Sequence, residues 1–214
     1  MKVFRAETLQ EAAYGEIVSM LRAGGVIAFP TDTAYGLGAD PFNQAAIDRI
    51  FQIKGRAENK PILLIVNSIV MAESITRPSA LFFDVAEEFW PGPLTLILTA
   101  AASVPARVTA DTNTIGIRWP VSPFAATLLD VLKTPITATS ANRSGLPSAI
   151  TPDEVRAQIG ESIDALIDGG ELPSRAASTL LDLTVDPPVL LRKGPVSFET
   201  LEKFFSGRIR KHLE

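Results

Sequence analysis

The sequence predicts an α/β fold. Strand-length apolar runs alternate with stretches of helical periodicity along the chain. Several of those runs open into loops rich in hydroxyls, glycine and cations, where open α/β sheets usually build their ligand sites. No repeat, low-complexity segment or linker interrupts the 214 residues, so residues 1–214 are expected to form one domain.

Residues 9–21 carry a helical stripe of Leu9, Ala12, Ala13, Ile17, Met20 and Leu21, ended by Gly24-Gly25. Val26 to Phe29 reads as a buried strand stopped by Pro30. Residues 43–53 read as a helix with Ala46, Ile47, Ile50 and Ile53 inward, and residues 62–66 as a strand. A helix over 78–90 is followed by strands over 94–99 and 114–118, a helix over 123–132 and a strand over 136–139. Thr151-Pro152-Asp153-Glu154 starts a helix, with Thr as N-cap, Pro in the first turn and Glu placed for a capping box. Strands over 165–167, 178–183 and 189–192 precede a last amphipathic helix, capped by Ser197 and reaching Phe204.

Composition removes several chemistries. Hydrophobic residues make up 46% and charged residues 21%, the balance of a globular protein. The longest apolar runs are strand-length, and the first residues lack the apolar core of a secretion signal, so a cytoplasmic protein without a membrane span is expected. There is no cysteine, and His212 is the sole histidine. Structural zinc, cysteine nucleophiles and serine–histidine pairs all lack their parts, and neither haem nor flavin is expected. Catalysis would have to rest on Lys, Arg, Asp, Glu, hydroxyls, backbone groups and any metal that a substrate brings. The net charge of −4 is the opposite of the usual nucleic-acid-binding balance.

Four constellations carry unusual residues. Pro30-Thr31-Asp32-Thr33-Ala34-Tyr35-Gly36-Leu37-Gly38 follows a strand and reads either as a glycine-rich turn whose hydroxyls bond their own backbone or as a site. Lys54-Gly55-Arg56-Ala57-Glu58-Asn59-Lys60 sets three cations around a glycine, either to grip phosphates or as a solvated helix end where cations favour the dipole. No Walker A arrangement occurs, so an ATP site would use something other than a P-loop. The third runs from Thr137 to Ser148 and includes Ser140-Ala141-Asn142-Arg143-Ser144; it is either a polar turn or a cradle for a phosphate or nucleotide. The fourth is scattered: Thr114 and Arg118 on one strand, Ser178 and Thr179 opening another, Arg192 ending a third. Their arginines need anionic partners, either internal carboxylates such as Asp111 or Asp182 or a ligand.

The order of these motifs resembles the YrdC-like family, the threonylcarbamoyl-AMP synthases that begin threonylcarbamoylation of tRNA. The family's Lys-x-Arg and distant Ser-x-Asn correspond to Lys54-x-Arg56 and Ser140-x-Asn142, within a match from about Gly24 to Arg192. The Pro-Thr-Asp-Thr-x-Tyr-Gly-Leu stretch, Trp90-Pro91-Gly92-Pro93-Leu94-Thr95 and Ser178-Thr179 also look like the family's. The resemblance implies a twisted, open, mixed sheet with helices around a concave, cationic cavity. It implies threonine near Thr33, with Arg118 on its carboxylate and Ala138 and Ser178 beside it. It implies ATP held by Arg56, Lys60, Thr114, Ser140, Ser148 and Arg192, with Lys54 and Asn142 near the reacting groups. The catalytic set would be Lys54, Arg56, Ser140 and Asn142, and magnesium would arrive with ATP, without a metal site made by the protein. Ala57 stands where many members have Pro, and Ile65 where some longer members place a threonine-contacting His. The extra C-terminal domain of longer members is not part of the sequence.

The implied reaction joins L-threonine, bicarbonate and ATP and releases pyrophosphate, serving a downstream tRNA threonylcarbamoyl transferase complex, with a weak contact to tRNA. Two other readings stand beside it. One is the carbamoyl transfer of larger hydrogenase-maturation proteins, which have further domains and cysteines absent here. The other is an RNA-binding module without catalysis.

Overall fold

The computed structural model describes residues 1–173 and 175–212. In chain order it contains β1 (Lys2–Arg5), α1 (Glu11–Arg22), β2 (Ile27–Phe29), β3 (Gly36–Gly38), α2 (Gln44–Lys54), β4 (Leu64–Ile65), α3 (Ile69–Ile75) and α4 (Ala80–Phe89). There follow β5 (Leu94–Thr99), α5 (Ala106–Thr109), β6 (Thr114–Arg118), α6 (Pro123–Leu132), β7 (Ile136–Thr137), β8 (Thr139–Ser140) and α7 (Pro152–Ile159). The last elements are β9 (Ala165–Asp168), β10 (Thr179–Asp182), β11 (Val189–Arg192), α8 (Phe198–Phe204) and β12 (Arg210–Lys211). Among the described residues no helix is long and apolar enough to cross a membrane.

The strands divide between two mixed sheets. A five-stranded sheet has the order β1-β9-β2-β3-β8, and a seven-stranded sheet the order β12-β11-β10-β5-β6-β4-β7. The run expected as one strand over 136–139 serves both. Ile136 and Thr137 pair with β4 in the larger sheet, whereas Thr139 and Ser140 pair with β3 in the smaller one. Ala138 is thus the point where the chain changes sheets.

Period-two alternation places the core. In β2, Ile27 and Phe29 join Ile17 and Leu21 of α1 and Phe124 and Leu128 of α6 on one face. Val26 and Ala28 face the other way, into a cluster with Ile47 and Ile50 of α2 and Leu166 of β9. Gly38 is required by that packing, since a Cβ there would lie 2.8 Å from the Phe29 ring. Helix starts follow local chemistry. The side chains of Asn43, Ser122, Thr151 and Ser197 each accept a backbone N–H from the first turn of α2, α6, α7 and α8. Glu154 closes its box one residue further back than expected, accepting from the Ile150 N–H at 2.8 Å.

Candidate active site

The concave face of the larger sheet and the loops of the smaller one enclose a cavity of about 470 Å³. The same alternation that builds the core builds its floor. In β6, Ile115 and Ile117 are buried in the core, and Thr114, Gly116 and Arg118 face the cavity. In β5, Leu94, Leu96 and Leu98 are core, and Thr95 and Ile97 face the cavity. Leu180 and Arg192, cross-strand partners in β10 and β11, extend the floor.

Of the residues singled out from the sequence, Thr33, Arg56, Lys60, Thr114, Arg118, Ala138, Ser140, Ser148, Ser178 and Arg192 all line this cavity, although they come from segments far apart in the chain. Among the described residues no Asp or Glu lines it. Lys54 and Asn142 do not line it either; both are buried in the wall behind it.

At one end Arg118 is almost wholly buried and held by three acceptors. Its Nε donates to the Gly92 carbonyl (2.9 Å), its Nη1 to the Thr33 hydroxyl (2.9 Å) and its Nη2 to the Asp32 carboxylate. The ion partner is therefore Asp32, and neither Asp111 nor Asp182 fills that role. Asp32 is nearer because the 30–35 loop folds against the end of β6, whereas the Asp182 carboxylate is taken up by Thr184. A guanidinium has five N–H groups, so one on each Nη remains for a further acceptor such as a substrate carboxylate. Burial lowers the Arg118 pKa from its ordinary value, and Asp32 opposes that shift.

The 30–35 loop is both turn and site. Thr31 turns inward, its hydroxyl donating to the Ala34 carbonyl at 2.6 Å. Tyr35 is a structural tie: its OH donates to the Gly170 carbonyl (2.8 Å) and accepts the Gly169 N–H (3.1 Å). Burial pushes its pKa up to about 12, so the phenol keeps its proton.

The rest of the lining carries further cations, and the Arg192 charge also acts on Arg118. Gly55 caps α2 in the left-handed region (φ 56°), turning the chain so that Arg56 enters the cavity. The Arg56 guanidinium donates to the carbonyls of Pro61 (2.7 Å) and Lys60 (3.3 Å), folding its own loop. Arg192 donates to the Ser178 carbonyl (3.1 Å) and hydroxyl (3.3 Å). Among the described residues Arg56, Lys60 and Arg192 form no ion pair, and burial lowers the guanidinium pKa of both arginines. Arg56 is half-buried and Lys60 and Arg192 are exposed; cations gathered on one cavity without carboxylate partners favour an anionic ligand.

Lys54 Nζ donates to the carbonyls of Ser140 and Asn142 (2.9 Å) and to Asn142 Oδ1 (3.3 Å). Burial and the neighbouring Arg56 guanidinium pull its pKa down to about 7.

Three contributors were given no role of their own from the sequence. Thr95 lines the floor and shares a 2.7 Å hydrogen bond with Ser178; the alternation of β5 already marked it as facing away from Leu94 and Leu96. Asp32 sat in a singled-out motif, but no pattern linked it to Arg118. Arg175 holds the loop at the cavity rim, donating to the Ser148 carbonyl (2.9 Å) and pairing with Glu154. Ile65, where some longer members place His, gives the cavity an apolar wall.

Fold and site together define an α/β protein with a cation-lined cavity between two mixed sheets. A family model named Sua5_yciO_yrdC, described as telomere recombination, matches residues 19–194. The chain belongs to the Sua5/YciO/YrdC family. It is 38% identical over 210 residues to a threonylcarbamoyl-AMP synthase of Pyrococcus abyssi, covering 96% of this chain and 61% of that relative. It is 38% identical over 189 residues to a Bacillus subtilis protein of the same name, covering 87% of this chain and 55% of the relative. The chain thus spans 55% to 61% of the length of these two relatives. A crystal structure of P. abyssi Sua5 complexed with L-threonine superposes with a TM-score of 0.92 at 37% identity, over 99% of this chain and 62% of that one.

Proposed function

We propose that the chain forms L-threonylcarbamoyl-AMP and pyrophosphate from L-threonine, bicarbonate and ATP. The observation that carries this reading is the convergence in one cavity of a buried, oriented Arg118 and a set of cations without carboxylates, Arg56, Lys60 and Arg192. A P. abyssi relative with the same fold has been crystallised with L-threonine, which supports L-threonine as a substrate.

Threonine's carboxylate takes the two outer N–H groups of Arg118, with Thr33, Ala138 and Ser178 around it. The triphosphate lies toward Arg56, Lys60 and Arg192, with the hydroxyls of Thr114, Ser140 and Ser148 as further partners. Magnesium enters as the metal of the MgATP substrate, since among the described residues the cavity lining offers it no carboxylate. Bicarbonate gives CO2 by losing hydroxide, the neutral threonine amine adds to the CO2 carbon to form the C–N bond of a carbamate, and the proton shed by nitrogen joins the hydroxide as water. A carbamate oxygen then attacks the α-phosphorus, and the bond to pyrophosphate breaks. Such a displacement asks for alignment and positive charge facing the phosphates, which these side chains supply without histidine or cysteine.

We place the protein in the cytoplasm, ahead of a transferase that delivers the threonylcarbamoyl group to tRNA. The test is pyrophosphate release from ATP with each substrate omitted in turn. Release must need both threonine and bicarbonate; release indifferent to either overturns the assignment.

A further inference from the structure

The family signature brings four residues together, but they face two ways. Arg56 and Ser140 look into the cavity; Lys54 and Asn142, two positions away from each, look into the wall. We propose that Lys54 and Asn142 are positioning residues, a buried clasp that holds the loop after β8 against the end of α2 and so presents Ser140 and Arg56 to the ligand.

The hydrogen-bond inventory carries this. An ammonium has three N–H groups, and Lys54 meets three oxygens of the 140–142 segment, 86 to 88 residues away in the chain. The tie is returned by the backbone, as the Ser144 N–H donates to the Lys54 carbonyl at 2.7 Å. Asn142 is used up in the same way. Its Oδ1 accepts from Lys54, and its Nδ2 donates to the carbonyls of Arg143 (2.9 Å) and Leu146 (2.6 Å). With side-chain exposures so low that the whole residues are 3% and 5% accessible, Lys54 and Asn142 have no donor free for a phosphate. The two-residue spacing has a physical origin on each side. Gly55 reverses the chain between Lys54 and Arg56, and β8 ends at Ser140, where a tight turn with the Asn142 N–H on the Ser140 carbonyl (2.9 Å) breaks the strand's alternation and sends Asn142 to different surroundings.

The experiment has two arms. In the first, amide hydrogen exchange of residues 140–146 is read in the free protein for wild type, Lys54→Met, Asn142→Ala, the double variant and Arg56→Ala. The clasp predicts tenfold or faster exchange in both single variants and in the double, and wild-type exchange in Arg56→Ala. In the second, pyrophosphate release is compared, and the double variant should fall no further than the worse single variant, within twofold. Unchanged exchange together with lost activity, or single losses that multiply in the double, would overturn the proposal and put Lys54 on the ligand. Asn142→Ala alone decides the exchange arm if Lys54→Met does not fold. The activity arm rests on the reaction proposed above; the exchange arm needs no substrate and stands if that reaction fails.

Discussion

Replacing Arg118 by Met should cost stability as well as threonine binding. The substitution keeps an unbranched stem but strands the Asp32 carboxylate, the Gly92 carbonyl and the Thr33 hydroxyl. Removing one partner of a buried ion pair costs about 3–5 kcal/mol. The Asp32 side chain retains 17% of its exposure, so water recovers part of that loss and the lower end, about 3 kcal/mol, applies here. For a chain of this size that corresponds to a fall in Tm of about 6–12 °C. The double variant D32N/R118M no longer buries an unpaired charge and should regain about half of the fall or more. Calorimetric or circular-dichroism melts of wild type, R118M, D32N and the double variant measure the cycle. Equal Tm values for R118M and D32N/R118M would refute the ion-pair argument, because the stranded charge would then have no cost. R118M should also abolish the threonine response while sparing nucleotide binding; a loss confined to the nucleotide would move Arg118 to the other substrate.

Arg56→Ala and Arg192→Ala should each slow pyrophosphate release about ten- to hundredfold, the loss of one charge-assisted phosphate contact of about 1.5–3 kcal/mol, with a native circular-dichroism spectrum. Wild-type rates in both would count decisively against a triphosphate at that end. Gly116→Leu should leave the fold intact, because a Cβ there sits at ordinary contact, 3.5 Å from Thr95 and 3.6 Å from Leu63, but the longer side chain fills the cavity floor. Its expected signature is a near-wild-type melt with ligand binding lost, read by calorimetry. Lys54 gives the pH dependence. Its pKa of about 7 in the folded protein lies below the ordinary 10.5, so between those values the unfolded chain holds the extra proton and stability rises with pH. Denaturant unfolding from below pH 7 to near pH 10 should show that rise in wild type and its loss in Lys54→Met.

What the sequence made legible was whatever depends on local chemistry. The caps at Thr151 and Ser197 place the starts of α7 and α8, and strands β5, β6 and β11 stand where their apolar runs are. The cavity-lining residues of β6 follow from simple alternation, since a strand with Ile115 and Ile117 in the core must turn Thr114 and Arg118 the other way. The short strands β3 and β12 went unread, and β8 was read only as the end of the run over 136–139, because two or three residues carry no period of their own; they are strands only through the partners they pair with. β1 and α3 were missed as well, the first an exposed edge strand with few apolar positions and the second a helix of 7 residues. The sheet change at Ala138 is invisible in an unbroken run from Ile136 to Thr139. The orientation of Lys54 was equally hidden, because it depends on the left-handed turn at Gly55 and on oxygens 86 to 88 residues away.

The most direct measurement is a crystal structure with a non-hydrolysable ATP analogue and L-threonine bound together. The amino acid's carboxylate should lie on Arg118 and the phosphates against Arg56 and Arg192, with the α-phosphorus turned toward the amino group across the same cavity. A nucleotide seated outside that cavity, or phosphates facing away from both arginines, would contradict the proposed chemistry.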